Sequence, residues 1–341
     1  VPVAFYAHQR VFFDENKDPS VNFKFPHEYK LFTGGTLGDA FSFWGEHNLQ
    51  SSSLNRIFIR FNDLFSEEGW GRFGILPEDA LNLRLGRLDV GTLLVPLNVR
   101  RTVNKPAPYT YELGSGAAAW DFSDLQSGFE ANGVIGHRFL YAAGIVNGLT
   151  GTGTPSGVED NNDEKDAYYR IAYKLGGLSF DGLEWAGAEA GELKQTDNWV
   201  DNAITVGQFG YWGTTTVAST PSIIENPFWR VGGDLRVNFG DFDLYGTVVF
   251  GADDRPTSTA REVDSWAWFA QADYVIFPWL QAALGYEQVT YDKAFKRDTD
   301  AIIASLLAWP RANVKLTVEG KVVPEDLDAN SQLLVDLTYA F

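Results

Sequence analysis

The stretch WRVGGDLRVNFGDFDLYGTVVF, residues 229–250, decides the fold of this 341-residue chain. Apolar and polar residues alternate along its two halves, which the dipeptide Gly240–Asp241 separates. Because successive side chains of a strand point to opposite faces of a sheet, the alternation predicts two strands, each with one apolar and one polar face. The short Gly-Asp connection predicts that the two strands form a hairpin.

The same alternation recurs along the whole chain, and it predicts about 16 strands. They are expected at 3–13, 27–37, 40–48, 54–64, 80–89, 127–135, 138–148, 167–175, 202–213, 229–239, 242–251, 263–276, 280–291, 300–309, 314–323 and 332–341. From residue 229 onward the short connections 240–241, 277–279 and 309–313 alternate with the long polar connections 251–265, 291–300 and 324–331. Short turns at one end and longer loops at the other are typical of barrels in the outer membrane. A soluble β-sandwich is a competing hypothesis for this chain, but its connections are not expected to alternate in length in this way.

Composition supports a barrel in a membrane. The net charge of -18 argues against a nucleic-acid partner, because phosphate-binding faces need clustered Lys and Arg. The absence of Cys excludes disulfides, thiolate metal sites and covalent haem attachment, and we predict neither cofactor nor metal. No apolar run reaches about 18 residues, but transmembrane strands need only about 9 to 11. We therefore predict an all-β fold: a closed, transmembrane, antiparallel β-barrel of about 16 strands that forms a single domain over residues 1–341.

Two stretches fit this scheme poorly. Residues 66–80 and 176–198 fall on the short-turn side and are too long for turns. Each is expected to be either a structured periplasmic excursion or an undetected pair of strands.

The last strand, SQLLVDLTYAF (331–341), ends on an aromatic residue, and its apolar face carries Leu333, Leu337, Tyr339 and Phe341. With the acidic composition and the lack of Cys, this ending makes the chain resemble the outer-membrane porins of Gram-negative bacteria over its whole length. The resemblance implies a water-filled channel for passive diffusion of small hydrophilic solutes or ions, in the bacterial outer membrane. It also implies contact with lipid and lipopolysaccharide, a homotrimer, and recognition of Tyr339 and Phe341 by the barrel-assembly machinery.

A narrower resemblance gives an alternative. Segments 54–65, 81–90 and 127–148 are similar to parts of porin-like proteins that associate with electron-transfer cytochromes of the outer membrane. This resemblance implies a barrel that surrounds or accompanies a separate multihaem cytochrome.

Alternation also selects the charges that are expected to line the channel. In residues 54–64, for example, Arg56 and Arg60 lie on the face opposite Ile57 and Ile59. A charge facing lipid costs about 2 to 4 kcal/mol at the membrane midplane, so these side chains are expected to point inward. The candidates on strands are Arg56, Arg60, Arg84, Arg170, Lys174, Arg230 and Arg236. They form either a generic polar lining or a dedicated selectivity ladder.

The long segment 89–126 supplies the remaining candidates. It carries the cations Arg100, Arg101 and Lys105 and then the carboxylates Glu112, Asp121 and Asp124. Folded into the lumen, it would narrow a wide barrel, and its charges would create a field across the constriction. The alternative is an exposed surface loop or lid.

The hypothesis that the chain is an enzyme has little support in the sequence. The four histidines, His8, His27, His47 and His137, are too scattered for a helical metal motif, and there is no G-x-S-x-G elbow. We predict that the chain is not an enzyme.

Overall fold

The computed structural model describes residues 2–14, 20–51, 53–67, 69–90, 102–114, 119–148, 162–182, 184–185, 188–189, 201–219, 222–259, 261–292, 295, 298–324 and 331–341. Sixteen of the described strands close into one antiparallel barrel, which confirms the predicted fold and strand number. No helix in the described part of the chain is long and apolar enough to cross a membrane.

The strands alternate in direction and follow one another in chain order. The barrel strands are β1 (Val3–Phe13), β2 (Val21–Thr36), β3 (Phe41–Asn48), β4 (Ser53–Phe61), β5 (Asn82–Asp89), β6 (Leu125–Ile135), β7 (Phe139–Val146), β8 (Asp166–Gly176), β11 (Ala203–Ser219), β12 (Ser222–Phe239), β13 (Phe242–Asp253), β14 (Val263–Phe277), β15 (Leu280–Tyr291), β16 (Thr299–Arg311), β17 (Val314–Val322) and β18 (Gln332–Ala340). Three further elements are not part of the barrel sheet: helix α1 (Ala107–Thr110) and the two-residue strands β9 (Glu184–Trp185) and β10 (Ala188–Glu189).

The first and last strands close the barrel. β1 pairs with β18 from Tyr6 opposite Ala340 to Phe13 opposite Leu333. Beyond the last paired residues, the Phe5 and Phe341 backbones exchange hydrogen bonds of 2.7 and 3.0 Å. Closure pairs both edges of the described barrel sheet, which is the condition that a lipid environment imposes on a sheet.

The largest deviations from the predicted boundaries occur in two hairpins. β2 begins at Val21, six residues before the prediction, and the β11–β12 hairpin extends to Ser219 and Ser222, where residues 214–228 were expected to connect the strands. Polar Thr and Ser residues and Pro227 interrupt the alternation there, yet Thr214 still pairs with Pro227 in the ladder. The ladder continues because neighbouring pairs hold it in register, which a strand's own sequence does not reveal.

The two stretches that fitted poorly are different from each other. The described residues of 66–80 contain no strand and form an excursion whose turns include a 2.8 Å hydrogen bond from the Ile75 N–H to the Phe65 carbonyl. Within 176–198 the chain forms the small hairpin β9–β10, which pairs only with itself. This second stretch therefore does hold an undetected strand pair, but the pair is not part of the barrel sheet.

The two faces of the wall differ as predicted. Large apolar side chains on the outer face are exposed, as Leu284 (58%) and Phe250 (52%) illustrate. On the inner face polar side chains are buried, such as Asp273 (1%) and Thr317 (0%). An apolar exterior around a polar interior inverts the arrangement of a water-soluble protein and matches a barrel whose outer face meets lipid.

Aromatic rings mark the short-turn end of the barrel. Neighbouring rings pack there, with centroids 4.7 Å apart for Phe242 and Tyr274 and 5.3 Å apart for Phe5 and Phe341. Others at this end are Phe41, Phe61, Trp70, Phe277, Trp279 and Tyr339. Rings of this kind are favoured at the interface between lipid and water.

Candidate channel constriction

The inner face of β2–β5 carries a chain of opposite charges. Lys30 Nζ lies 2.8 Å from Glu28 Oε1 and 2.8 Å from Glu46 Oε1. The predicted residue Arg56 lies between Glu46, 3.9 Å from its Nε, and Asp89, with which it forms an ion pair. The Arg56 side chain remains 36% exposed, so its charge stays accessible from the interior.

Arg84 and Arg60 lie side by side on the inner face of β5 and β4 as partners in register. Arg84 donates from Nε to Glu130 Oε1 at 2.9 Å and also from Nη2. Glu130 additionally accepts hydrogen bonds of 2.8 Å from Asn132 Nδ2 and from the Tyr168 hydroxyl. Arg84 is thus fully compensated, whereas Arg60 is a half-buried neighbour of the same charge.

Three other predicted cations point inward and are paired across the sheet. Arg170 Nη2 donates to Asp234 Oδ1 (2.9 Å), Lys174 Nζ to Asp201 Oδ2 (2.6 Å), and Arg236 Nε to Asp243 Oδ1 (2.8 Å). Inward orientation follows the predicted alternation. The alternation does not predict which carboxylates on nearby strands or connections pair with these cations, because that pairing depends on register.

Arg230 is in a different environment from the other cations. Its side chain is 1% exposed and lies 2.7 Å from the Asp253 carboxylate. The guanidinium also lies over the rings of Phe228 (5.2 Å), Tyr111 (5.4 Å) and Trp120 (5.9 Å). Tyr111 and Trp120 belong to the connection between β5 and β6, so Arg230 is covered by that connection and does not face open space.

The β5–β6 segment, defined as residues 102–114 and 119–124, crosses the barrel interior. Val103 and Asn104 donate backbone hydrogen bonds of 2.7 and 2.9 Å to the Glu319 carboxylate on β17. Ala107 donates from its backbone to Glu287 Oε2 on β15 at 2.8 Å. In the ring of sixteen strands β15 lies eight strands from β5 in either direction, so the segment reaches the opposite wall.

An aromatic core joins the β5–β6 segment to the wall. Trp120 packs against Tyr211 and Phe228 with ring centroids 4.3 and 4.8 Å apart, and Phe122 contacts Phe209 at 5.9 Å. The buried cluster also includes Tyr109, Tyr111, Leu113, Tyr168, Tyr245, Phe269 and Tyr291. Burial of each large side chain contributes on the order of 2 kcal/mol, so this core fixes the segment on β8 and β11–β15.

The four described charges that were predicted in segment 89–126 lie near one another. Lys105 and Glu112 are exposed, and both act electrostatically on Asp124, beside Asp121. Burial and the neighbouring Asp121 charge raise the pKa of Asp124 to about 7. Burial also raises the pKa of Asp121, against the hydrogen bond from the Ser123 N–H at 2.6 Å. Arg100 and Arg101 lie outside the described residues.

Sequence reasoning missed the residues that hold the segment. Glu287 and Glu319 share the inward parity of their strands, and that was the only signal available for them. Trp120 and Phe122 are aromatic residues in a non-strand stretch, which indicates a buried loop but not its location. Among the described residues, no group of three or more His, Asp or Glu side chains is arranged to hold a metal ion.

Tyr339 and Phe341, the predicted assembly signal, lie at the short-turn end. Their rings stack with centroids 6.1 Å apart, and Phe341 is 72% exposed on the outer face. The position fits the aromatic girdle, while the role in assembly stays a prediction. The expectation that the chain is not an enzyme likewise stays a prediction.

Neither a family model nor a curated protein sequence matches the chain. Solved structures do match over its full length. An anion-selective porin from Comamonas acidovorans has a TM-score of 0.63 at 13% identity and is covered over 99% of its chain. The outer membrane protein OmpT of Vibrio cholerae, in a trimer form, has a TM-score of 0.58 at 12% identity and 98% coverage. The outer membrane channel DcaP of Acinetobacter baumannii has a TM-score of 0.59 at 9% identity and 96% coverage.

These neighbours agree with the predicted family resemblance and with the predicted location of the barrel in an outer membrane. They do not support the alternative of a barrel that surrounds an electron-transfer cytochrome. At identities of 9 to 13% the likeness concerns the fold. The chain therefore has the sixteen-stranded barrel fold of the outer-membrane porins of Gram-negative bacteria.

Proposed function

We propose that this protein is an outer-membrane porin, a passive channel for small hydrophilic solutes or ions. The observation that carries the proposal is the β5–β6 segment, which hydrogen bonds to Glu319 and Glu287 on the far side of the barrel. A barrel of sixteen strands is wide enough for an aqueous channel, and a segment held across its interior narrows that channel to a constriction.

The charges around the constriction set its ion preference in this proposal. Arg56, Arg60 and Arg84 line one wall, and the segment presents Glu112, Asp121 and Asp124 together with Lys105. Charged side chains of both signs in a narrow passage create a field across it and select among permeant ions.

Single-channel recording tests the proposal. The purified protein, inserted into planar bilayers without a partner, is expected to give discrete conductance steps, and a salt gradient yields its ion preference from the reversal potential. Heat-modifiable migration on a gel controls for folding. A correctly folded barrel that shows no conductance would contradict the proposal.

A homotrimer is the proposed assembly, supported by the trimer form of the OmpT neighbour. Cross-linking in native membranes should yield a species of three chains, and conductance steps should group in threes. A single chain by both measurements would contradict this part of the proposal.

Assembly into the outer membrane is proposed to depend on the last strand and on the surrounding lipid and lipopolysaccharide. Deletion of Phe341, which removes the aromatic end of the predicted signal, should impair assembly. Leu337→Arg on the outer face should impair it as well, since a midplane charge costs about 2 to 4 kcal/mol. Leu337→Ile is the matched control. A full yield of heat-modifiable barrel from both altered chains would refute this dependence.

A further inference from the structure

A cavity of about 330 Å³ lies on the inner face of β4–β8, near the short-turn end. Three guanidinium groups line it, those of Arg60, Arg84 and Arg170. The apolar side chains of Val134 and Leu140 form another part of its lining. The cavity thus combines concentrated positive charge with an apolar surface.

Two of the three guanidinium groups are neutralised by the protein. Arg170 is held by Asp234 through both of its terminal nitrogens. Arg84 donates two hydrogen bonds to Glu130, and Asn132 and Tyr168 each donate one more to the same carboxylate. With four hydrogen bonds already accepted, Glu130 has little capacity left for a further cation.

Arg60 is compensated only at a distance, by the charges of Asp79, Asp63 and Glu130. It forms no hydrogen bond or ion pair with any residue that the structure describes, and its Nε is buried without a partner. Its register partner on β5 is Arg84, a like charge. A buried donor that loses water without gaining an acceptor costs about 1 to 3 kcal/mol. An anion in the cavity would offset the repulsion between the neighbouring Arg60 and Arg84 charges.

The remaining carboxylate in the cavity, Asp79, is poorly suited to that task. It lies in the β4–β5 connection and attracts Arg60 without pairing with it, while burial and the adjacent Asp63 charge raise its pKa. Its backbone N–H is bound to the Asp63 carboxylate, which fixes the two residues beside each other. Arg60 therefore remains the site's available cation.

We infer that Arg60 is the anchor of a binding station for small organic carboxylates on the inner wall of the barrel. This inference deepens the proposed function and rests on it, because the ligand reaches the station through the channel. The planar guanidinium fork matches the two oxygens of a carboxylate. Val134 and Leu140 accommodate a short hydrocarbon chain, which favours an organic carboxylate over a hydrated inorganic ion.

Blocking of single-channel current by butyrate tests the station. In potassium chloride, added butyrate is expected to reduce the wild-type current in a concentration-dependent manner, while 1-butanol, its uncharged analogue, does not. Arg60→Gln should raise the half-blocking butyrate concentration about tenfold, since the charge and its bidentate pairing with the carboxylate are lost. Arg60→Lys keeps the charge without the fork and should lie between the two.

Arg311→Gln is the matched control, because Arg311 is an exposed arginine at the end of β16 and lies outside the cavity. Butyrate should block the current of this variant at the same concentration as that of the wild type. Equal half-blocking concentrations in Arg60→Gln, Arg60→Lys and the wild type would overturn the inference and leave the channel proposal intact, as would a conducting wild type that butyrate does not block. A folded wild type without conductance would overturn both.

Discussion

The two inner walls of this barrel use the same alternating pattern for different purposes. On β8 and β11–β15 the inward residues include aromatic rings, and the β5–β6 segment covers them with Trp120 and Phe122. On β2–β5 the inward residues are charges linked in pairs, such as Lys30 with Glu46 and Arg56 with Asp89. One wall thus holds the segment in place, and the other presents paired charges to the barrel interior.

An inward charge therefore does not have one fixed role in such a barrel. Arg230 and Arg60 both satisfy the alternation rule, yet Arg230 is 1% exposed under aromatic rings and Arg60 lines an open cavity without a partner. Substitutions on the aromatic wall should therefore change stability and channel size. Substitutions on the charged wall should change ion preference.

The largest effect is expected from Trp120→Ala. Removing a buried ring that contacts Tyr211, Phe228 and Arg230 should lower the free energy of unfolding by about 3 to 5 kcal/mol and loosen the β5–β6 segment. Single-channel conductance should rise as the passage widens. Trp279→Ala, which removes a 52% exposed ring of the girdle, is the control and should leave conductance unchanged. Unchanged conductance in Trp120→Ala would remove the distinction between the walls.

Arg230→Met should follow, with a loss of about 3 kcal/mol in the free energy of unfolding, because the buried Asp253 carboxylate loses its cation. Urea unfolding monitored by gel mobility measures the loss. The double change Arg230→Met with Asp253→Asn should recover part of it. Arg236→Met, in the more exposed pair with Asp243, should cost less than about 1 kcal/mol. Equal costs for both arginines would be evidence against a special role of the covered site.

Next to the charged wall, on β6, Glu130→Gln is expected to change ion preference more than stability. The amide still accepts a hydrogen bond but no longer neutralises Arg84, so the reversal potential in a salt gradient should move toward anions. The stability cost should be about 1 to 2 kcal/mol. The exposed Glu262→Gln removes the same charge outside the barrel interior and serves as the control. A shift of the same size in both variants would indicate a nonspecific effect of net charge.

The smallest effect is expected from pH. Because the pKa of Asp124 is raised to about 7, its carboxyl is mostly ionised at pH 8 and mostly protonated at pH 6. Cation preference should therefore fall modestly as pH is lowered through this range, as measured by the reversal potential. Asp124→Asn should flatten the response, whereas the exposed Asp254→Asn should not. A response that persists in Asp124→Asn would assign it to another group.

The sequence alone determined the barrel, its sixteen strands and which face of each strand points inward. These features follow from period-two alternation, which is a local property that lipid imposes on each strand separately. The same locality explains the missed extension of β11 and β12, where Thr214 and Pro227 are held by their neighbours in the ladder rather than by their own pattern.

Only the tertiary structure decided what the inward charges do. Whether an arginine is paired, covered or left without a counterion depends on register across several strands and on where the β5–β6 segment lies. Arg84 and Glu130 are 46 positions apart in the sequence, and Asn104 and Glu319 are 215 positions apart, yet each pair is hydrogen bonded. No local pattern encodes contacts at such separations, because closing the barrel brings these residues together.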